Sequence, residues 1–205
     1  MSPNITPKEM AEALRQHRGR LVVTAHVRPD GDALGAALGL ALGLRAGGLD
    51  AICAGVEPIA EEYRFLDGVA EIVPAVAFVP AEGDALVVVD CGDTSRIAEG
   101  MRPHAAALLR FCIDHHKSNA GFAPVRLIDP KASSSAELVL AILDAGGFPV
   151  GRAAAEALWT GLVTDTGRFQ YPCTAPSTLR AAARLVECGA RFDLINERVY
   201  GLFEL

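Results

Sequence analysis

Leu108-Leu109-Arg110-Phe111-Cys112-Ile113-Asp114-His115-His116-Lys117 is the stretch from which the rest of the chain is read. Its apolar run, residues 109–113, is short and lacks strict polar alternation, as expected of a strand buried on both faces. It ends on an acid and two imidazoles, which are costly at the mouth of a buried strand unless something uses them. Residues two apart on an extended chain share a face, so Asp114 and His116 fall together and His115 takes the other side. Such a cluster can give one imidazole to a cation and keep the other for a substrate. A polar strand end that merely carries two histidines explains the stretch equally well by itself.

Two other strands end in the same way. Residues 21–25 run into His26, Asp30 and Asp32, in a loop marked by Pro29 and Gly31. Residues 85–89, an unbroken apolar run, end on Asp90, with Asp93 behind it as the cap of a following turn. A fourth acid, Asp165, closes an apolar helix just before Gly167. Shorter strands are expected at residues 51–54, 72–73 and 125–128. Helices or helical turns are expected at 7–17, 33–46, 59–66, 94–98, 103–107, 136–145, 153–163, 176–188 and 192–203. Thr6 and Glu9 form a capping-box spacing for the first of these. Gly35, Gly39 and Gly43 recur every fourth residue of the second, a stripe without side chains that permits close packing near a sheet at a cost of ~1 kcal/mol per glycine. Short apolar strands alternating with helices predict an α/β fold, a mostly parallel sheet with helices on both faces. In such sheets the ligand crevice lies outside the carboxyl ends of the strands, where all these acids and imidazoles would meet.

Composition narrows the function. With 205 residues, 51% of them hydrophobic, the chain can bury one sizeable core. The net charge of −6 disfavours long nucleic acid, duplex included, whose affinity comes from Lys and Arg on phosphates. A short anionic substrate stays open, because bound cations invert the local charge logic. Cys53, Cys91, Cys112, Cys173 and Cys188 show no metal-binding spacing and read as free thiols of a reducing compartment. The N-terminus has no apolar signal core, and residues 34–44 are too short to span a bilayer. The expectation is a cytoplasmic chain without membrane contact.

Five carboxylates in one crevice, Asp30, Asp32, Asp90, Asp114 and Asp165, repel one another unless cations intervene. Two divalent metals supply that charge directly. Imidazole nitrogen with carboxylate oxygen and no thiolate suits Mn²⁺ first, with Mg²⁺, Co²⁺ or Zn²⁺ as alternatives.

The order His26-x3-Asp30-x-Asp32, then strand-terminal Asp90, then Asp114-His115-His116, then Asp165 in Gly161-Leu-Val-Thr-Asp-Thr-Gly-Arg-Phe169 is similar to the DHH phosphoesterase family. That family includes RecJ-type exonucleases, family II inorganic pyrophosphatases, exopolyphosphatases, cyclic-dinucleotide phosphodiesterases and short-oligonucleotide hydrolases (nanoRNase / pAp phosphatase). The resemblance runs from Leu21 to Gly189 and implies a Rossmann-like sheet. It implies that His26 and Asp30 hold one metal, Asp32, His115 and Asp165 the other, and that Asp90 bridges them. A bridging hydroxide would attack the phosphorus in line. His116 would face the scissile phosphate as donor or general acid, and Asp114 would orient a neighbouring histidine. Ala132-Ser-Ser-Ser-Ala-Glu137-Leu138 and Thr164–Pro172 look most like the short-oligonucleotide branch, so a short oligonucleotide, a dinucleotide or 3′-phosphoadenosine 5′-phosphate is the expected substrate. A pyrophosphatase, a polyphosphatase, a cyclic-dinucleotide phosphodiesterase and a silent nucleotide-binding module are the alternatives.

Arg28, Arg96, Lys117 and Arg168 read singly as surface residues, and any could contact a substrate phosphate. Ser133, Ser134 and Ser135 read first as helix caps and second as phosphate ligands at a helix N-terminus. His17 and His104 read as surface residues. The resemblance further implies a catalytic domain over residues 1–190, the start of an interdomain helix over 191–205, and a closing domain absent from this chain, hence weak turnover. It leaves room for a homodimer.

Overall fold

Ala85–Val89 is buried along its whole length, and in the computed structural model it is the middle strand of the sheet. The structure describes residues 4–201. In chain order the elements are α1 (Pro7–Gln16), β1 (Leu21–Thr24), α2 (Gly31–Ala46), β2 (Ala51–Cys53), β3 (Ala85–Val89), α3 (Arg102–Leu108), β4 (Leu109–Asp114), β5 (Val125–Ile128), α4 (Ser135–Gly146), α5 (Arg152–Asp165), α6 (Pro176–Glu187) and α7 (Phe192–Tyr200). The sheet order is β2-β1-β3-β4-β5, and every neighbouring pair is parallel. This is a Rossmann-like α/β arrangement. The chain passes from β1 outward to β2, then returns to the other side of β1 for β3. The order therefore reverses between β1 and β3, the point at which such sheets open a crevice at their carboxyl ends.

Side chains leave a strand alternately to its two faces, so each strand feeds two cores. Leu21, Val23, Val87, Val89, Phe111 and Ile113 join one core, with residues of α1, α2, α4 and α5. Val22, Leu86 and Val88 join a smaller core with Ile97, Met101 and Ala105 on the opposite face, covered by α3 and short turns.

The glycine stripe of α2 faces helices, not the sheet. A side chain at Gly35 would strike the Ala157 carbonyl of α5, and one at Gly39 would meet Leu158. The missing side chains let two backbones approach, and the first turn of α2 is thereby set beside the end of α5. α7 joins the same core. Its Ile195 is fully buried, worth about 1.5–3 kcal/mol by burial alone. Tyr200 donates its hydroxyl to the Val163 carbonyl at 2.9 Å, and Phe192 lies against Trp159.

The chain departs from expectation in a few places. Residues 59–66 form only a 3₁₀ turn at Glu61–Tyr63, followed by a turn at Gly68, whose φ is 91°. Residues 72–73 make a single bridge, Val73 with Ala54. His17 and His104 are partly buried, not surface: His17 Nε2 lies 2.9 Å from the Gly83 carbonyl, and His104 packs edge-on against Phe78. α2 begins two residues early, at Gly31, because Asp30 caps it. The expected helix 192–203 is seen as Phe192–Tyr200, and its last two positions lie outside the described residues. Among the described residues, no helix is long and apolar enough to cross a membrane.

Candidate metal centre

β1 delivers His26. The main chain of His26 bridges to Ile97, and Val27 N–H donates to the Arg96 carbonyl at 2.8 Å. His26 Nδ1 lies 3.0 Å from the Val27 carbonyl. That contact needs the proton on Nδ1 and leaves Nε2 as an acceptor, the arrangement common in metal-binding histidines. Nε2 stands 3.6 Å from Asp90 Oδ2 and 3.8 Å from Asp30 Oδ2. Asp30 caps α2 through its other oxygen, which accepts from Asp32 N–H and Ala33 N–H. One carboxylate thus ends a loop, starts a helix and still offers an oxygen to the crevice.

Asp32, in the first turn of α2, is fully buried. It accepts from Ser135 N–H at 2.7 Å and Ala136 N–H at 2.9 Å, so the N-terminus of α4 binds this carboxylate as it would any anion. Asp90 follows β3 with a left-handed φ of 50°, a conformation uncommon outside glycine. The turn aims its two oxygens in different directions. Oδ2 faces His26, whereas Oδ1 lies 3.5 Å from His115 Nε2 and accepts from the Ser135 hydroxyl at 2.9 Å. His115 Nε2 also lies 3.2 Å from Asp165 Oδ2 and 3.8 Å from Asp32 Oδ2.

Three triads result, each with donor atoms within 4.8 Å of one another: His26–Asp30–Asp90, Asp32–His115–Asp165 and Asp90–His115–His116. Asp90 links the first and the third, and His115 the second and the third. His116 stands apart by its chemistry. Its Nδ1 is 2.7 Å from Asp114 Oδ1 and only 3.6 Å from Asp90 Oδ1, so a proton shared with Asp114 occupies the nitrogen nearest the cluster. Asp114 is itself held by Asn119 Nδ2 at 2.6 Å on its second oxygen.

A model of the N-terminal domain of the DHH family matches residues 20–162. The chain belongs to the DHH family. It is 33% identical over 190 residues to the bifunctional oligoribonuclease and PAP phosphatase NrnA of Thermus thermophilus, covering 93% of this chain and 56% of that protein. It is 31% identical over 179 residues to its counterpart in Bacillus subtilis, covering 82% and 52%. The chain therefore spans about half the length of these curated relatives. Among solved structures, an exopolyphosphatase-related protein from Bacteroides fragilis superposes with a TM-score of 0.85 at 24% identity, covering 96% of this chain and 61% of that one.

Electrostatics of the DHH cluster follow from its crowding. Burial, then the charges of Asp90 and Asp165, push the Asp32 carboxyl well above the usual range, and two amide donors do not offset them. Burial also raises Asp165, to about 6, against the pull of His115. Asp90 goes the other way: burial would raise it, but His26, His115, His116 and Ser135 together hold it below the usual range. His26 is lowered by burial yet ends raised through Asp90. The Asp114 contact raises His116. Negative charge thus remains uncompensated around Asp32 and Asp165, where a cation would relieve it.

The other DHH residues singled out by sequence are scattered. Ser133 and Ser134 are buried and turned to α4: the Ser134 hydroxyl accepts from Glu137 N–H, and the Ser133 hydroxyl donates to the Glu137 carboxylate. Arg28 and Arg96 are exposed beside the His26 loop. Lys117 is exposed next to His116. The Arg168 guanidinium lies over the Tyr200 ring, 4.6 Å from its centroid. Two contributions go beyond the sequence reading: Asn119, which it leaves out, and Ser135, which it takes only as a helix cap or phosphate ligand. Each stood in plain view, one in the serine run and one four residues after His115, but hydroxyls and amides carry no charge pattern to point at. A cavity of about 540 Å³ beside His17, Arg18 and Arg110 lies at the amino ends of the strands and away from all of this chemistry.

Proposed function

We propose that the chain hydrolyses phosphate esters of short oligonucleotides, dinucleotides and 3′-phosphoadenosine 5′-phosphate, at a site that binds two divalent metals, Mn²⁺ first among them. The observation that carries this reading is the placement of Asp90, with one oxygen toward His26 and the other toward His115. A carboxylate so split suits a bridge between His26–Asp30 on one side and Asp32–His115–Asp165 on the other. The donor set fits: three carboxylates with displaced acidities, imidazole nitrogens free at Nε2, and no thiolate among them. When bound, such ions neutralise the phosphate and activate water. The named activities of the relatives in Thermus thermophilus and Bacillus subtilis, oligoribonuclease and PAP phosphatase, support the choice of substrate.

The chain's own residues supply proton control. His116, fixed by Asp114 at Nδ1, offers its other nitrogen to the leaving oxygen as general acid. Asp114 keeps the ring in one orientation and favours its charged form. Arg28, Arg96, Lys117 and Arg168 are the proposed substrate contacts, and of these Lys117 is the neighbour of His116; Ser133 and Ser134, buried with their hydroxyls bonded to Glu137, serve as caps of α4 instead.

A panel of pApA, pAp, pyrophosphate and cyclic di-AMP with added Mn²⁺ tests the reading, alongside calorimetric counting of bound Mn²⁺. Expected are two sites per chain and phosphate-ester cleavage of pApA and pAp. Turnover of pyrophosphate alone, or no Mn²⁺ binding, would reject it.

A further inference from the structure

A phosphorus centre attacked in line loses its leaving oxygen on the face away from the nucleophile. A side chain that protonates that oxygen must therefore stand between the scissile phosphate and the departing piece. His116 has surroundings of this kind. Its Nδ1 and its ring face the cluster, 3.6 Å from Asp90 Oδ1 and with centroids 4.8 Å apart from His115. It also borders a cavity of about 290 Å³ whose walls include Lys117, Asn119, Ala120, Ile128 and Pro130. His116 alone among the acids and imidazoles of the cluster lines that cavity.

We propose that this cavity is the subsite for the leaving nucleoside, a ligand class that rests on the hydrolase reading above. Its volume is at the low end of small-ligand pockets, roughly 300 Å³, which suits one nucleoside. Ala120, Ile128 and Pro130 offer apolar walls for a base and sugar, and exposed Lys117 stands at the rim for a further phosphate on the same piece. In the step served, a water oxygen bonds to phosphorus and the bond from phosphorus to the nucleoside oxygen breaks. The departing oxygen takes a proton from His116, and the water proton passes to solvent. The same loop both walls the cavity and holds the acid. Asn119 donates to Asp114, the partner of His116, at 2.6 Å and accepts from Gly121 N–H at 2.8 Å. A nucleoside in the cavity therefore rests on the segment that orients the proton donor.

The test uses 5′-AMP and adenosine as probes, followed by amide chemical shifts, together with hydrolysis of pApA and of the methyl ester of 5′-AMP, whose leaving group is a methoxy. The variants are Ala120→Phe, which fills the cavity from an exposed position, and Lys117→Glu. Expected are shifts centred on residues 117–121 and 128–130, and an affinity for both probes at least about tenfold weaker in Ala120→Phe. Lys117→Glu should weaken 5′-AMP more than adenosine. The preference for pApA over the methyl ester should fall about tenfold in Ala120→Phe. Shifts confined elsewhere, or binding and preference unchanged in Ala120→Phe, would overturn the subsite while leaving the hydrolase reading intact. Probe binding that depends on Ala120 in a chain that cleaves neither ester would uphold the pocket and reject the hydrolase reading.

Discussion

The Ser135 hydroxyl donates to Asp90 Oδ1 at 2.9 Å while the Ser135 amide donates to Asp32 Oδ2 at 2.7 Å. One residue at the start of α4 thus ties together carboxylates from two different triads. Such outer contacts set the direction in which a ligand oxygen points, and losing one typically costs 10–100-fold in metal affinity. Ser135→Ala should weaken Mn²⁺ binding by about that factor in a calorimetric titration, and Ser135→Thr, which keeps the hydroxyl, should restore most of it. Equal affinities for wild type and Ser135→Ala would refute the role.

Packing between α2 and α5 bears on the same centre. A side chain carbon at Gly161 would stand 2.7 Å from Asp32 Oδ1 and 2.7 Å from the Ala136 side chain. Gly161→Ala should therefore cost stability, about 1–3 kcal/mol by overpacking, and also displace Asp32. Gly39→Ala, whose nearest neighbours would be Leu158 Cδ2 and Cγ at 2.6 Å and the Ala154 carbonyl at 3.4 Å, should cost stability alone. Urea unfolding and Mn²⁺ titration of the two variants separate these effects. Full Mn²⁺ affinity in folded Gly161→Ala would contradict the coupling.

The sheet and the cluster were legible for different reasons. Buried parallel strands leave near-continuous apolar runs, and residues 21–25, 85–89 and 109–113 show them. Each ends in a group too polar for a core, so His26, Asp90 and Asp114-His115-His116 marked the carboxyl ends of their strands. What stayed hidden depends on three-dimensional contact. Gly35 signals small volume, but nothing in the chain says that α5, not the sheet, fills the space. Ser134 and Ser135 are equivalent as caps in sequence. Only the fold shows that Ser134 closes its own helix while Ser135 reaches Asp90. Residues 59–66 carry apolar and acidic residues suited to a helix, and the observed 3₁₀ turn reflects the turn residues on either side.

Acid sensitivity should appear at a place remote from the centre. Glu156 of α5 is buried, and Arg191, which precedes α7, donates to it through Nη2 at 2.9 Å. Burial would raise the Glu156 carboxyl, yet the Arg191 contacts hold it below its usual 4.5. A carboxylate whose folded acidity is lowered adds stability above its unfolded value, and that stability is lost as pH falls through the folded value. Glu156→Gln should therefore melt below wild type at pH 7, and the gap should begin to narrow as pH falls under 4.5 and close below the folded value. Melting curves that stay parallel from pH 7 to the acid end would show that the ion pair contributes nothing.

Asp165 gives the opposite sign. Its carboxyl is pushed up to about 6 by burial, with Asp90 adding to the effect despite His115 nearby. In the metal-free chain at neutral pH the ionised side chain is therefore a net cost, since removing a charge from such a site relieves both burial and repulsion. A bound cation reverses the balance, and the same charge becomes part of what holds the ion. Asp165→Asn should raise the melting temperature in chelator and reduce the increment on adding Mn²⁺. For a single site at a hundredfold over its Kd that increment is about 2.7 kcal/mol, on the order of 5–10 °C for a chain of this length. Thermal melts with chelator and with Mn²⁺ give both quantities on one sample. A variant that melts lower in chelator, yet keeps the full increment with Mn²⁺, would place Asp165 outside the metal centre and make it a structural partner of His115 alone.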